Sequence, residues 1–310
     1  MRTLIAYDGS PEGQGLLAAI PALFPASTAR VLTIYEGPLE MEISLASAGG
    51  AGYLGLNDEA WESFERTSRE DGLATAQEAS AALIAAGLTA DAAAERSRAG
   101  ANTVARILEA AEDWDADVIA TGTRGRGGVK RALLGSTSTA LLHRAVRPVL
   151  VVPREAAPGD GPAIVAYDGS AAARAAVEVT ARGVGDREVL VVNVWDSPDY
   201  AVGVMASAGG SVDVAPKLNR WMTDQAADLA AEGADIARAA GATARAHAEQ
   251  VSGSLHQGVL DVAEREGAAL VVSGSRGRGG VTSALLGSVS SGLVHAAHLP
   301  TMVVPGPAEE

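Results

Sequence analysis

Residues 117–136 read DVIATGTRGRGGVKRALLGS, and residues 270–288 read LVVSGSRGRGGVTSALLGS. From the first shared glycine to the final serine, twelve of fifteen positions are identical, and the copies start at Gly122 and Gly274. Each copy follows a short apolar run with the composition of a buried strand and leads into a segment of helical character. Glycines at fixed offsets leave backbone N–H groups uncovered, and a helix N-terminus completes a cradle suited to phosphate. One site-building unit is used twice.

The repetition extends outward from that unit. IAYDGS at 5–10 returns as VAYDGS at 165–170, and ASAGG at 46–50 recurs at 206–210. Trp61 has its counterpart in Trp221, and PVLVVP at 148–153 returns as PTMVVP at 300–305. Between the copies, REAAPGDGP at 154–162 has the Pro, Gly and charge content of a linker. The period is too long for a solenoid, so the sequence predicts a duplicated domain: 1–153, a linker over 154–162, and 163–310. A chain of 310 residues suits two such domains, each large enough to bury its own core.

Within each half, β-rich runs alternate with helical patterns. Strands are expected at 2–7, 30–35, 89–95, 117–121 and 149–152, with helices at 10–23, 57–86, 101–113 and 135–146. In the second half, strands fall at 163–167, 188–194, 242–249, 269–273 and 301–304, with helices at 170–182, 215–240, 254–266 and 287–297. Ser10 and Ser170 stand where helix N-caps belong, and Pro11 suits a first helical position. Continuous apolar strands alternating with helices predict two tandem doubly wound α/β domains. Each has a mainly parallel five-stranded sheet flanked by helices, and is Rossmann-like in type. Such sheets bind ligands at the carboxyl ends of their strands, where Asp8, Asp168 and both glycine loops are expected.

Composition narrows the partners. There are 24 Lys and Arg against 38 Asp and Glu, a net charge of −14, which argues against nucleic acid. No stretch has the roughly 20 apolar residues that would span a membrane. No cysteine is present, so disulfides, thiolate ligands and a cysteine nucleophile are all excluded. The start of the chain lacks a signal-peptide layout, and a cytoplasmic location is expected. The five histidines form no metal pattern; His143 and His295 recur at matching positions and read as packing or interface residues.

The loop is neither a dinucleotide fingerprint, which would follow the first strand, nor a P-loop, which would place Lys after its last glycine. Its spacing is G-x2-G-x9-G-S, at Gly122, Gly125, Gly135 and Ser136, and again at Gly274, Gly277, Gly287 and Ser288. This pattern, placed after the fourth strand of both halves, resembles the ATP-binding branch of the universal stress protein family. The resemblance covers essentially the whole chain and implies an adenine nucleotide alpha hydrolase-like fold. It implies that Asp8 and Asp168 lie beside the nucleoside, and that Gly122, Gly125, Gly274 and Gly277 let the backbone approach ribose and phosphates. Gly135 with Ser136, and Gly287 with Ser288, would hold the phosphate tail, with Thr137, Ser138, Val289 and Ser290 adding donors. The adenine would meet the end of the second strand, at Val194 in the second half and near Tyr35–Glu36 in the first.

Arg124, Arg126, Arg276 and Arg278 read as solvated loop charges before they read as phosphate ligands. Asp8 and Asp168 suit the positioning of ligand hydroxyls better than general-base work. No nucleophile elbow or acid–base pair stands out. The expected function is therefore an ATP-binding, nucleotide-dependent regulatory or stress-response protein, at most a slow ATPase, with Mg2+ carried on the phosphates. A nucleotide hydrolase or transferase on the same scaffold, and an interaction module with vestigial sites, are the alternatives. The short apolar last strands suggest sheet edges, and the resemblance implies that they pair as an intramolecular pseudo-dimer, with a homodimer open. The Gly-, Ala- and Ser-rich stretches at 37–56 and 196–214 read as surface loops or lids.

Overall fold

A computed structural model describes residues 1–37, 57–97, 103–123, 134–156, 158–196, 214–277 and 286–307. Two compact units divide the chain, Met1–Ala156 and Ala157–Glu310. The N-terminal unit contains β1 (Arg2–Ala6), α1 (Gln14–Leu23), β2 (Thr28–Tyr35), α2 (Asp58–Ala85), β3 (Thr89–Arg96), α3 (Thr103–Asp113), β4 (Val118–Gly122), α4 (Ser136–Arg144) and β5 (Val149–Val152). The C-terminal unit repeats the order with β6 (Ala163–Ala166), α5 (Ala171–Gly183), β7 (Val189–Asp196), α6 (Val214–Ala239), β8 (Ala244–Val251), α7 (Leu255–Arg265), β9 (Leu270–Gly274), α8 (Ser288–Ala296) and β10 (Thr301–Val304).

Every strand pair within a unit is parallel. The order is β3-β2-β1-β4-β5 in the first unit and β8-β7-β6-β9-β10 in the second. Helices cover both faces: α1 and α2 lie on one side of the first sheet, and α3 and α4 pack together on the other. In the second unit α5 packs with α6, and α7 with α8. Burial on both faces explains the unbroken apolar reading of the inner strands; β4, β5 and β10 are buried along their whole length. The edge strands TADAAAER and ARAHAEQV alternate only weakly, and there the expected boundary at 242–249 moves two residues to Ala244–Val251.

Ile164, Leu190, Val192, Val259, Val262, Val271 and Leu293 form one fully buried cluster between the second sheet and the pair α7–α8. Local signals set the helix starts. Asn57 Oδ1 accepts from Ala60 N at 2.9 Å and caps α2, while Asp58 and Glu59 complement its positive end. Ser170 Oγ accepts from Ala173 N at 3.2 Å and caps α5 as expected. The first unit differs at this point. Ser10 Oγ accepts from Gly13 N at 3.2 Å, but Pro11–Gly13 form a 3-10 turn and the α-helix begins only at Gln14. A Cβ on Gly13 would lie 2.8 Å from the Tyr7 ring, and one on Gly15 would lie 2.8 Å from Pro153 O. The chain enters α1 in close contact with β1 and with the segment after β5.

The expected linker is partly docked. Arg187 Nη1 donates to the carbonyls of Gly159 and Gly161, at 3.1 and 2.5 Å, so 158–162 pack on the C-terminal unit. Among the described residues no helix is long and apolar enough to cross a membrane.

Candidate functional site

In both units the first strand leads to one side of its sheet and the fourth to the other. The crevice between their carboxyl ends is the switch point of the fold. Each unit builds this crevice from the same turn. After β6, Asp168 Oδ1 accepts from Ser170 N at 3.0 Å, and after β1, Asp8 Oδ1 accepts from Ser10 N at 2.9 Å. The intervening glycines take φ of +81° at Gly169 and +73° at Gly9, a left-handed conformation that costs other residues.

The glycine segment approaches this turn closely. A Cβ on Gly274 would stand 2.7–2.8 Å from Ala172 C and Ala173 N, so the end of β9 is held against the start of α5. A Cβ on Gly277 would lie 2.6 Å from Asp168 Oδ2. Ser170 Oγ also donates to Arg276 O at 3.3 Å, joining the turn to the loop. Gly274 thus answers to helix packing as well as to the crevice, and Gly277 to the carboxylate beside it.

The far end of the loop is closed onto its beginning. Ser275 N donates to Val304 O at 2.7 Å, and Gly287 N donates back to Ser275 O at 2.8 Å. The Ser290 hydroxyl, buried in the first turn of α8, is shared between Ser275 O at 3.2 Å and Gly287 O at 3.0 Å. The N-terminal unit repeats this neck: Thr123 N to Val152 O, Gly135 N to Thr123 O, and Ser138 Oγ to Thr123 O and Gly135 O at 3.3 and 3.0 Å. Ser138 and Ser290 therefore direct their hydroxyl protons into the loop. Their N–H groups belong to the open first turn.

That turn leaves its first N–H groups uncapped. Gly287 is extended, at φ −62° and ψ 159°, and no side chain caps α8. The N–H groups of Ser288, Val289 and Ser290 have no carbonyl four residues back within the helix. Gly135 has the same geometry before α4, leaving Ser136, Thr137 and Ser138 in the equivalent positions.

In the C-terminal unit a cavity of about 260 Å3 joins these parts. Asp168, Gly274, Gly277, Gly287, Ser288, Val289 and Ser290 line it, as does Val194 of β7. The N-terminal unit places Asp8, Gly122, Gly135, Ser136, Thr137 and Ser138 at the corresponding ends. Gly125 lies outside the described residues, as do Arg124, Arg126, Lys130, Arg131 and Arg278, and both candidate lids except for their flanking residues. Arg276 is exposed at the cavity mouth.

Strand pairing also refines one correspondence. Tyr7 N donates to Leu32 O and Tyr167 N to Val192 O, which equates Val194 with Ile34 rather than with Tyr35. The Tyr35 carbonyl is taken by Ser97 N at 2.8 Å.

Sequence reasoning missed the rest of the cavity. Leu255 and Val259, one turn apart on α7, face Val192 and Val194 and make an apolar slot. Ala166, Tyr167, Ala173, Asn193 and Ser273 complete the lining. Asn193, a polar residue within VLVVNVW, was a detectable signal: it is buried and donates through Nδ2 to Tyr167 O at 2.7 Å. Tyr167 is 2% exposed, and its hydroxyl donates to Glu232 Oε1 at 2.9 Å, which Arg174 also pairs at 2.5 Å. Burial, then the Glu232 hydrogen bond and charge, push the Tyr167 hydroxyl up to about 12. Tyr7 is raised by burial, with Glu78 and Asp8 adding to the effect. Both phenols stay protonated beneath the crevice at neutral pH.

The donor set fits a phosphorylated ligand: backbone N–H groups at one end, and a glycine cradle that a Cβ would fill. No group of three or more His, Asp or Glu suited to a metal occurs among the described residues.

Fold and crevice define a doubly wound α/β protein with a glycine-rich sequence after the fourth strand and an uncapped helix start beyond it, built twice in one chain. The chain belongs to the universal stress protein family, which matches residues 1–153 and 162–305. A universal stress protein of Mycobacterium tuberculosis (strain H37Rv) is 35% identical over 204 residues, 61% of this chain and 62% of that protein. One from Mycolicibacterium smegmatis is 34% identical over 211 residues, 65% of this chain and 66% of that protein. The chain thus matches just under two thirds of the length of these relatives. A solved universal stress protein from Archaeoglobus fulgidus shares the fold at a TM-score of 0.62 and 22% identity, with 98% of each chain covered.

Proposed function

We propose that the chain binds adenine nucleotide, ATP carried with Mg2+, in the crevice of each unit. On this reading it acts as a nucleotide-dependent regulatory protein of the stress response, at most a slow ATPase. The observation that carries the reading is the cavity of the C-terminal unit, which runs from an apolar slot to an uncapped helix start. The slot of Val192, Val194, Leu255 and Val259 suits a flat ring. The start of α8 offers N–H groups to a phosphate tail. Asp168, between them, suits ribose hydroxyls. With no cluster of acidic ligands among the described residues, Mg2+ would ride on the phosphates and keep much of its water.

Asp168 holds its own turn through one oxygen and faces Gly277 with the other, a positioning arrangement. The reading of at most slow hydrolysis rests on this positioning role; among the described lining residues, those at the phosphate end are Gly287, Ser288, Val289 and Ser290. The repeated neck and turn extend the proposal to the N-terminal unit. The family resemblance further suggests that β5 and β10, each paired on one side only within its own unit, make the two units a pseudo-dimer in a cytoplasmic protein.

Calorimetric titration of nucleotide-free protein with MgATP tests the reading. Two sites per chain are expected. Absence of binding by both calorimetry and equilibrium dialysis would defeat it.

A further inference from the structure

Beneath the slot, one polar atom has been left without a partner. Ser273, in β9, is 3% exposed and lines the cavity, and its Oγ makes no hydrogen bond to any described residue. Its polar neighbours are engaged: Asn193 with Tyr167 O, Asp168 with Ser170 N, and Ser290 with the loop neck. Strand register sets Ser273 in a row with Ala166 and Val192. It lies two residues beyond Val271 and so faces the same side of the sheet, toward α7 and α8. A lone hydroxyl in an aliphatic floor carries the cost of an unmade hydrogen bond unless something that enters the cavity supplies the partner.

The other unit lacks this feature. Its equivalent row is Leu32, Ala6 and Thr121, and the Thr121 hydroxyl donates to Gly122 O at 3.4 Å. The row is bulkier by a methylene and a methyl, and its hydroxyl is already directed at the backbone.

We infer that Ser273 Oγ forms a hydrogen bond with a polar atom on the edge of the ligand's heteroaromatic ring, and so selects which ring the C-terminal site accepts. This rests on the nucleotide reading of the crevice. A hydroxyl both donates and accepts, so it matches a ring nitrogen or an exocyclic group. It rejects a ring that presents carbon at that point, because the hydroxyl is then buried unpaired.

The test uses the full chain. Gly277→Val, whose side chain would enter the space beside Asp168, identifies the component of the MgATP isotherm that belongs to the C-terminal site. In Ser273→Ala that component should weaken about ten-fold. The ligand-free melting temperature should stay level or rise, since a partnerless hydroxyl has been removed. MgATP is then compared with the Mg2+ complexes of 3-deaza-ATP and 7-deaza-ATP, which each remove one ring nitrogen, and of ITP, which changes the N1 and C6 edge together. One of them should bind wild type more weakly than MgATP does, and lose nothing further in Ser273→Ala.

An unchanged C-terminal affinity overturns the inference. So does an equal loss for MgATP and all three analogues, or a lower ligand-free melting temperature, which would mark a structural role. A wild-type chain that binds none of the four nucleotides fails earlier and differently: the nucleotide reading itself then falls, and the inference with it.

Discussion

Tyr167 shows how a single side chain links the crevice to the helix layer. Its ring is buried under α6, where a Cβ added to Gly233 would lie 3.0–3.1 Å from ring atoms, and its hydroxyl reaches Glu232. Tyr167→Phe removes one hydrogen bond but leaves Glu232 paired with Arg174, so a loss of about 1 kcal/mol is expected in urea unfolding at pH 7. The pH dependence has a defined sign. The folded-state value is raised above that of the unfolded chain, so the stabilisation is fully present below pH 10. It is lost as pH rises toward about 12, because the unfolded state releases its proton first. Wild type should therefore lose more stability than Tyr167→Phe between pH 9 and pH 11. Parallel curves for the two proteins would contradict the assignment.

At the scale of elements, the turn after the first strand and the loop after the fourth act together. Ser170 caps α5 and also holds Arg276 O, so Ser170→Ala touches both a helix start and the glycine loop. A loss of about 1 kcal/mol is expected from the cap alone. A MgATP affinity reduced by a larger factor in the C-terminal site than in the N-terminal one would show that the loop contact counts as well. The same factor at both sites, or no change at either, would confine Ser170 to capping. Most of these elements were legible in the sequence because their signals are local: apolar runs on inner strands, Ser, Asn and Gly at turns, and a motif that recurs in register. The 3-10 start of α1 was not, since it depends on Gly13 and Gly15 meeting Tyr7 and Pro153 from other parts of the fold. The apolar slot was hidden for a similar reason. Leu255 and Val259 read as ordinary core positions of an amphipathic helix until β7 is set opposite them. Nor does the sequence announce Trp114, whose ring is met by the guanidinium groups of Arg2 and Arg30, at 4.8 and 4.9 Å from its centroid.

For the molecule as a whole, the absence of cysteine offers a clean test of the proposed pairing of its two halves. Single cysteines placed in pairs, one within Val149–Val152 and one within Thr301–Val304, should include a combination that oxidises to a disulfide inside one chain. A mobility shift without a dimer band on a non-reducing denaturing gel is the expected result. Dimer bands alone across the whole set would assign these edges to contacts between chains. The neck of each glycine loop carries a wider consequence. Thr123, Gly135 and Ser138 in one half, and Ser275, Gly287 and Ser290 in the other, fasten the loop's two ends with the same bonds. Strand end and helix start are thereby bonded to each other directly, so the open first turn of each helix is held at its sheet by the chain's own backbone.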